Sequence, residues 1–391
     1  MNRIREFGAV AAATVFPVSA KSQEILHAAL HQPLDWEHFF AVTQKQRVGG
    51  LVYHSISRLP CGSVPEGVLL RLQKTAKKIA FNSLRMTDQA SRLVQRLEDV
   101  GIPSAVLKGS SLDVLAYGQF GIRQSKDIDL FIGKGHVEVA DALLPQLGFA
   151  RIVPPASWSK EDLHTFRQHR SHYEYAETTT GLQVELHWRL ANNQHFGQQY
   201  LSPDNWQTVD LGGGRRLQTL GRIELAEYLC IHGASHAWCR LKWLADLAAI
   251  RRQDDELDAA LIAKAEQNGT SRAVGQALML CRDLYGLPLP RSAESGTTVR
   301  LLAYLALKAM LTGNGAGELA EHRAVNTLVH ASHFLLSAKP QYLVTELRNE
   351  IFTPPAWTNV EITSGRRLLH GLRTALLATM KKLSSFSQSK S

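Results

Sequence analysis

Two aspartates and a distant glutamate carry the main chemical signal of this 391-residue sequence. Asp127 and Asp129 are each followed by an apolar residue in the segment DIDLFI, which has the composition of a short strand. Side chains at positions i and i+2 of a strand point to the same face, so both carboxylates would lie together. Glu185 has a similar setting in LQVELHW. If these two strands are neighbours, three carboxylates converge on one site.

Three converging carboxylates predict a site for divalent cations. Hard oxygen ligands suit Mg²⁺ or Mn²⁺, which retain several waters and take further ligands from substrate phosphates. Two such cations can stabilise the attacking and the leaving oxygen of a phosphoryl displacement. The alternative for a D-x-D pair alone is a solvated surface pair, so the hypothesis depends on the third carboxylate and on a phosphate-binding element.

A glycine-serine turn upstream of the aspartates could provide that element. Gly109 and Ser110 follow the short apolar run SAVL, and a glycine there lets the backbone approach a phosphate closely. Backbone N–H groups at the start of a following helix would point toward it. Lys108 and Arg123 could balance phosphate charge. Three alternatives remain open: Lys108 as an exposed strand end, Ser110 as a helix N-cap, and Arg123 as an ion-pair partner of an aspartate.

The elements that must position these residues form an α+β pattern. Residues 21 to about 100 have helical periodicity, ending at Gly101-Ile102-Pro103. Short strands then alternate with helices, and His172–Glu177 and Leu182–Trp188 are predicted to pair as antiparallel strands around the turn at 178–181. From Arg222 the periodicity is helical again, with one continuous stretch predicted from Ile223 to Arg251. The prediction is a small mixed sheet between two helical segments.

These motifs resemble the nucleotidyltransferase superfamily that includes DNA polymerase β. The longer pattern is similar to that of an uncharacterised bacterial nucleotidyltransferase family: an LKG turn, a tyrosine, an arginine, DIDL and later EhHW. Here it comprises Leu107-Lys108-Gly109, Tyr117, Arg123, Asp127 to Leu130 and Glu185 to Trp188. The segment IHGASHAWCRLKWLADL adds two histidines, a tryptophan and an aspartate: His232, His236, Trp243 and Asp246. The resemblance extends over roughly residues 24 to 285, and the gap from Ser110 to Asp127 is longer than in many relatives of polymerase β.

The resemblance implies a fold, a reaction and a set of site residues. The fold would be a polymerase-β-like core embedded between helical segments. The enzyme would be Mg²⁺- or Mn²⁺-dependent and would move a nucleoside monophosphate from an NTP to a hydroxyl, with release of pyrophosphate. Asp127, Asp129 and Glu185 would be the catalytic metal ligands, and Glu185 could also help to deprotonate the acceptor. The residues that would bind the nucleotide are Lys108, Gly109, Ser110 and Arg123.

A second group of residues is predicted to lie beside the acceptor or behind the metal ligands: His187, His232, His236, Arg240 and Lys242. His187 could orient a metal ligand, provided that the Glu185 strand is regular. His232 and His236 have the i, i+4 spacing of a transition-metal pair but lack an H-E-x-x-H motif, so packing or shaping of the acceptor pocket is favoured. For Arg240 and Lys242, anion binding and a solvated face are equal alternatives.

Composition sets further limits. Lys and Arg number 44 against 35 Asp and Glu, a net charge of +9 that mildly favours polyanionic partners. The four cysteines form no C-x-x-C pair, which indicates free thiols and a cytoplasmic location. No stretch has the length of a membrane span. The first 20 residues faintly resemble an export signal, with a packed or surface helix as the favoured alternative.

The predicted domains are an N-terminal helical segment (1–100), a catalytic core (101–215), a C-terminal helical domain (216–383) and a disordered tail (384–391). The acceptor stays open among a small molecule, a glycan precursor, RNA and protein. Two other functions remain as alternatives: a toxin-like nucleotidyltransferase that modifies tRNA or protein, and a non-catalytic nucleotide-binding protein with the same fold.

Overall fold

The architecture is that of a computed structural model, which describes residues 3–197, 202–311 and 330–352. The predicted tail at 384–391 and the part of the predicted C-terminal domain after residue 352 lie outside the described residues. None of the described helices is long and apolar enough to cross a bilayer.

Five helices precede the sheet, and their bounds are α1 (Arg3–Ala12), α2 (Ala20–Leu30), α3 (Trp36–Lys45), α4 (Gly49–Ile56) and α5 (Glu66–Glu98). The 33-residue α5 buries Leu72, Ile79, Met86 and Leu93, which recur every seven residues on one face. It ends before Gly101, because the φ of 76° at this glycine is incompatible with a right-handed helix. Helix α1 is packed inside the protein: Val10 is buried, and the Thr14 hydroxyl just after it lies 2.9 Å from that of Tyr285.

A five-stranded mixed sheet follows, with the order β1-β2-β5-β4-β3. Its strands are β1 (Ser104–Val106), β2 (Asp127–Ile132), β3 (Phe149–Val153), β4 (His172–Glu177) and β5 (Gln183–His187). Strands β2 and β5 are parallel, whereas the other neighbouring pairs are antiparallel. The predicted hairpin of β4 and β5 is therefore confirmed, and the Glu185 strand lies beside the aspartate strand.

The two faces of this sheet differ in chemistry because side chains alternate along each strand. Ile128, Leu130 and Leu186 enter one hydrophobic cluster, together with the C-terminal half of α5. The helices α7 (Val137–Leu143) and α8 (Lys160–His169) also supply residues to that cluster. The opposite face carries Asp129, Glu185 and His187, and it is turned toward the helices that follow the sheet.

A two-stranded antiparallel ribbon, β6 (Trp206–Gly212) and β7 (Arg215–Leu220), connects the sheet to the C-terminal helices. The ribbon contacts β1 and α6 (Ser110–Tyr117). Sequence patterns gave no sign of this ribbon. It crosses the predicted boundary at residue 215, and the division into domains stays a prediction.

The helices after the ribbon are α9 (Arg222–Ser235), α10 (Leu241–Arg251), α11 (Leu257–Asn268), α12 (Ser271–Tyr285) and α13 (Thr297–Leu311), and a further described helix spans Pro340–Phe352. The prediction of one stretch from Ile223 to Arg251 is wrong, because the chain breaks between α9 and α10. Ala237 and Trp238 have positive φ values of 45° and 50°, which no α-helix accommodates. The buried Trp238 ring lies against Gly233, where a Cβ would come within 2.5 Å of the ring. Packing of this indole thus favours the break.

Candidate functional site

The three predicted carboxylates lie on the same face of two adjacent parallel strands. Asp129 is directly in register with Glu185, and Asp127 is in register with Gln183. The Asp129 side chain is almost fully buried, whereas Asp127 and Glu185 are partly exposed at the open side of the sheet. Pairing of β2 with β5 therefore brings together residues that are 56 positions apart in the sequence.

Lys108 makes the closest charge contact of this group. It follows β1, and its Nζ lies 2.9 Å from Oδ1 of Asp129, with both side chains buried. The same ammonium lies 5.7 Å from the ring centroid of Tyr228 on α9. Desolvation opposes its charge, but the carboxylates Asp129 and Asp127 outweigh it and raise the pKa of Lys108. Lys108 is thus a buried cation of the site and not an exposed strand end.

His187 connects Asp129 and Glu185. Its Nε2 lies 3.0 Å from Oε2 of Glu185 and 3.4 Å from Oδ1 of Asp129. Burial alone would lower the pKa of His187, but hydrogen bonds to these carboxylates raise it to about 9. Because β5 is regular, His187 falls on the same face as Glu185, two residues away. Its ring also stands 4.7 Å, centroid to centroid, from that of His172 on β4.

The electrostatics separate the three carboxylates. Burial and the charges of Asp129 and Glu185 raise the pKa of Asp127. Burial acts in the same direction on Asp129, but Lys108 and the His187 hydrogen bond outweigh it and lower its pKa to about 2. Burial is likewise outweighed at Glu185, where His172 and His187 hold the pKa well below its usual range. Asp127 is thus the carboxylate with the greatest unmet need for a cation.

The glycine-serine turn enters the same site from β1. Gly109 has φ 74° and ψ −131°, a conformation available essentially to glycine, and it is the N-cap of α6. Ser110 is the first residue of that helix and is buried, so it is not the side-chain cap that was one alternative. A Cβ added to Gly109 would meet no atom within 4 Å. The space in front of this turn is open, and backbone N–H groups of the first turn of α6 point out of the helix there.

Arg123 lies in a buried network behind the site. Its Nε donates to Oδ2 of Asp246 at 2.9 Å, and the Tyr117 hydroxyl donates to Oδ1 of the same carboxylate at 2.8 Å. One further guanidinium nitrogen donates to the Ser125 hydroxyl. Arg123 therefore pairs with Asp246, and with neither Asp127 nor Asp129. This network holds α10 against the loop that leads into β2.

His232 and His236 lie around Trp243 at the end of α9. Their ring centroids are 4.7 Å apart and stand 5.0 Å and 5.2 Å from the Trp243 ring. Burial and the nearby Lys108 charge lower the pKa of His236 to about 4 and that of His232 well below its usual range. Both imidazoles are therefore neutral and lie among aromatic rings facing the carboxylates.

Arg240 and Lys242 are buried, which excludes the solvated face that was one alternative for them. Arg240 donates to the backbone carbonyl of Lys45 and so joins α3 to the α9–α10 break. Lys242 donates to the carbonyl of Gln124 at 3.3 Å. Burial, with the charges of Arg123 and Arg47, lowers the pKa of Lys242 to about 7. Lys242 is thus a buried amine near the Asp127 strand, where binding of an anion would favour its protonated form.

The donor set fits a divalent cation. Lys108 and His187 both contact Oδ1 of Asp129, and His187 also contacts Oε2 of Glu185. The second oxygen of each of these carboxylates can therefore bind a cation, as can the oxygens of Asp127. Carboxylate oxygens are the ligands that Mg²⁺ and Mn²⁺ prefer. His172, Glu185 and His187 also form a compact group whose ligand atoms lie within 4.8 Å of one another.

Three residues that contribute to this arrangement were not singled out for it by their sequence context. His172 stands opposite His187 in the β4–β5 register, Tyr228 lies beside Lys108, and Asp246 accepts the Arg123 ion pair. The resemblance included Asp246 in a motif but gave it no partner. His172 could have been found from the hairpin register, since counting back from the turn at 178–181 places it across from His187.

One family matches the chain over this whole arrangement. A family model described as "Uncharacterised nucleotidyltransferase" matches residues 32–286, which is more than half of the chain. The matched region runs from just before α3 to just after α12 and contains the whole site. No curated protein matches the chain at a significant level.

Proposed function

The chain belongs to this uncharacterised nucleotidyltransferase family, and on that premise we propose that it is a Mg²⁺- or Mn²⁺-dependent enzyme that transfers a nucleoside monophosphate from an NTP to a hydroxyl group. The acceptor oxygen forms a bond to the α-phosphorus, the bond from that phosphorus to the bridging oxygen breaks, and pyrophosphate leaves. Divalent cations held by Asp127, Asp129 and Glu185 would supply Lewis-acid stabilisation of the reacting oxygens.

The observation that carries this proposal is the register of Asp129 with Glu185, with Asp127 on the same face. A carboxylate pair on one strand is common, but a third carboxylate directly across a parallel neighbour is a specific arrangement. Its negative charge is only partly balanced by Lys108 and His187. Burial, together with the charges of Asp129 and Glu185, raises the pKa of Asp127, so its charged form is the least compensated of the three carboxylates. A cation compensates this charge without any rearrangement of the strands.

The chain's own residues bind and orient the substrate. The open turn at Gly109 and the N-terminus of α6 suit the β- and γ-phosphates, because the unpaired N–H groups of that turn can donate to them. Lys108 lies between this turn and Asp129 and favours negative charge on both sides. The low pKa of Glu185 favours its role as a metal ligand over that of a base, because a weakly basic carboxylate removes a hydroxyl proton poorly.

The test uses each of the four NTPs labelled at the α-phosphate, together with Mg²⁺ or Mn²⁺ and a cell extract. Label should move to an acceptor with the parent protein and should fail to move with Asp127→Ala or Asp129→Ala. Glu138→Ala is the matched control, because Glu138 is a highly exposed carboxylate on α7, within the same core. Mn²⁺ binding measured by electron paramagnetic resonance gives a second readout. If both aspartate variants bind Mn²⁺ and nucleotide as the parent does, the proposed site is wrong.

The remaining choices within this proposal are the nucleotide, the acceptor and the compartment. The acceptor is one of four classes: a small molecule, a glycan precursor, RNA or protein. The described cysteines are free thiols, of which only Cys61 is exposed, and this fits a reducing cytoplasm. A nucleotide base would enter between the sheet and α9, where the neutral His232 and His236 offer flat surfaces beside Trp243.

A further inference from the structure

The outer face of α5 carries a basic and aromatic stripe, which we call the α5 stripe: Lys74, Lys77, Lys78, Phe81, Leu84 and Arg85. These positions are spaced by three, four, seven, ten and eleven residues from Lys74, so they share one side of the helix. All six side chains are exposed. The opposite side of α5 is buried in both main hydrophobic clusters. The stripe is therefore not needed for packing.

The positive charge of the stripe is not neutralised within the described residues. No acidic residue occurs in the sequence between Glu66 and Asp88. Over residues 3–197, 202–311 and 330–352, no ion pair involves Lys74, Lys77, Lys78 or Arg85. Arg71 and Arg92, which flank the stripe, do have partners, namely Glu37 and Asp88. The unpaired charge is thus confined to the middle of the helix.

Two apolar side chains stand among these cations. Phe81 is 71% exposed and Leu84 is 52% exposed. Neither solubility nor packing accounts for an exposed phenylalanine among lysines, because contact of the ring with water is unfavourable. Nucleobases stack on such rings while neighbouring cations contact the phosphates. The stripe is about 16 Å long from Lys74 to Arg85, the length of about five stacked nucleotides.

The stripe borders the loop that leads into β2, the strand that carries Asp127 and Asp129. Asn82, next to Phe81 in the sequence, donates to the carbonyl of Ser125 at 3.4 Å, and Ser125 precedes Asp127 by two residues. Gly121 of the same loop comes so close to α5 that a Cβ there would lie 3.1 Å from Cα of Ala80. A strand bound along the stripe would therefore lie beside the loop that leads into β2, the strand that carries Asp127 and Asp129.

We propose that the α5 stripe binds single-stranded nucleic acid and that a terminal hydroxyl of this strand is the acceptor of the nucleotidyl group. This inference rests on the proposed function for the acceptor role, but the binding surface stands on α5 alone. Lys and Arg side chains contact the phosphates, and Phe81 stacks on a base. Two sources share this chemistry, RNA and single-stranded DNA, and they differ by the 2′-hydroxyl.

An anionic lipid surface is the main competing partner for a basic helix. Membrane-bound amphipathic helices bury a broad apolar face, with cations at its borders. In α5 the broad apolar face is already buried inside the protein, and the exposed side offers only scattered apolar residues among cations. The position of the stripe beside the Asp127 loop also favours a substrate over a membrane.

The test measures fluorescence anisotropy of labelled 20-nucleotide oligo-RNA and oligo-DNA with the full-length protein over a range of salt concentrations. The double variant Lys77→Glu/Lys78→Glu should weaken binding at least about tenfold and reduce the salt slope by about 1.4, the value for two lost phosphate contacts on a single strand. Phe81→Ala should weaken binding about tenfold with little change in that slope, since stacking is not ionic.

The matched control is Arg215→Glu/Arg216→Glu, which makes the same charge change at an exposed pair on β7. Apart from the loss that any equal change in net charge produces, this control should change the affinity for the oligonucleotides by less than about twofold. Equal losses in both double variants, or unchanged affinity in the α5 variants, would overturn the proposal. So would binding to vesicles of anionic phospholipid that the α5 variants lose, with no binding of either oligonucleotide. A preference for RNA or for DNA identifies the source.

A separate arm distinguishes this inference from the proposed function. Asp127→Asn should bind the oligonucleotide normally but transfer no label to it, since Asp127 is not part of the stripe. Label transfer to a small acceptor by a protein that binds no oligonucleotide would reject the inference alone. Normal oligonucleotide binding by a parent protein that binds neither Mn²⁺ nor NTP would reject the proposed function and, with it, the acceptor role, but the binding surface on α5 would stand.

Discussion

Replacing Lys108 by methionine would remove the ammonium group from a buried ion pair while it keeps most of the side-chain volume. Lys108 Nζ lies 2.9 Å from Oδ1 of Asp129, and the side chains are only 8% and 3% exposed. The Asp129 carboxylate would keep His187 as a neighbour but would lose its closest cation. The variant therefore measures how far the site depends on this lysine for its stability.

The magnitude follows from the pKa of Asp129. In the native protein this pKa is about 2, compared with 3.8 for an unperturbed aspartate, which corresponds to about 2–3 kcal/mol of stability at neutral pH. That contribution is present above pH 3.8 and is lost as the pH falls toward 2. Lys108→Met should lower the free energy of unfolding by about 3–5 kcal/mol, the usual cost of leaving one buried charge unpaired.

The assay is urea unfolding at pH 7, followed by circular dichroism, with Lys78→Met as a control at an exposed lysine. Combining Lys108→Met with Asp129→Asn should recover roughly 2 kcal/mol relative to the sum of the single changes, because no unpaired charge remains. Mg²⁺ or Mn²⁺ should stabilise Lys108→Met more than the parent, since the cation no longer competes with an ammonium group for Asp129.

Two results would refute this reasoning. A loss below about 1 kcal/mol in Lys108→Met would mean that Asp129 does not depend on the lysine charge. Strict additivity with Asp129→Asn would mean that the two side chains act independently. A lack of extra stabilisation by either cation would contradict the proposed metal-binding role of Asp129 but would leave the ion pair itself unaffected.

Three further predictions concern the turn, the buried network and the pH response. Gly109→Ala should lower the free energy of unfolding by about 1–3 kcal/mol in urea titrations, because the backbone angles φ 74° and ψ −131° are strained for alanine. The added Cβ itself has space. An unchanged free energy of unfolding would show that the turn can relax. Asp246→Asn should lower the free energy of unfolding by about 3–5 kcal/mol, because it leaves the buried Arg123 guanidinium without its carboxylate partner. Thermal unfolding should show this loss even when no nucleotide is added. The raised pKa of His187, about 9 against 6.5, stabilises the protein fully below pH 6.5 and is lost as the pH rises through 9. The parent should therefore lose about 3 kcal/mol between these pH values relative to His187→Gln, and parallel stability profiles for the two proteins would contradict the ion pairing of His187.

The sequence determined the local chemistry of the site. Alternation in DIDLFI and in the Glu185 segment identified which side chains share a strand face, since this follows from the two-residue period alone. The hairpin of β4 and β5 was likewise readable, because a short polar turn between two alternating runs leaves few other pairings. The 33-residue α5 could be predicted from its apolar residues, which recur at helical spacing.

Other features depended on contacts between distant segments. The β6–β7 ribbon and the break between α9 and α10 escaped prediction because each is stabilised by packing rather than by local preference. Trp238 is an example: its sequence neighbours are compatible with a continuous helix, but burial of its ring against Gly233 accompanies a positive φ. Arg123 is another, because its partner Asp246 lies 123 residues away.

Sequence alone thus established that three carboxylates, a glycine turn and several basic residues were present with the right local geometry. Only the tertiary structure decided which of them meet. Lys108 and His187 join the carboxylates, whereas Arg123 turns away to Asp246 and supports the site from behind. The physical reason is that a strand or helix fixes the direction of a side chain locally, but the partner of a buried charge is selected by which elements pack together.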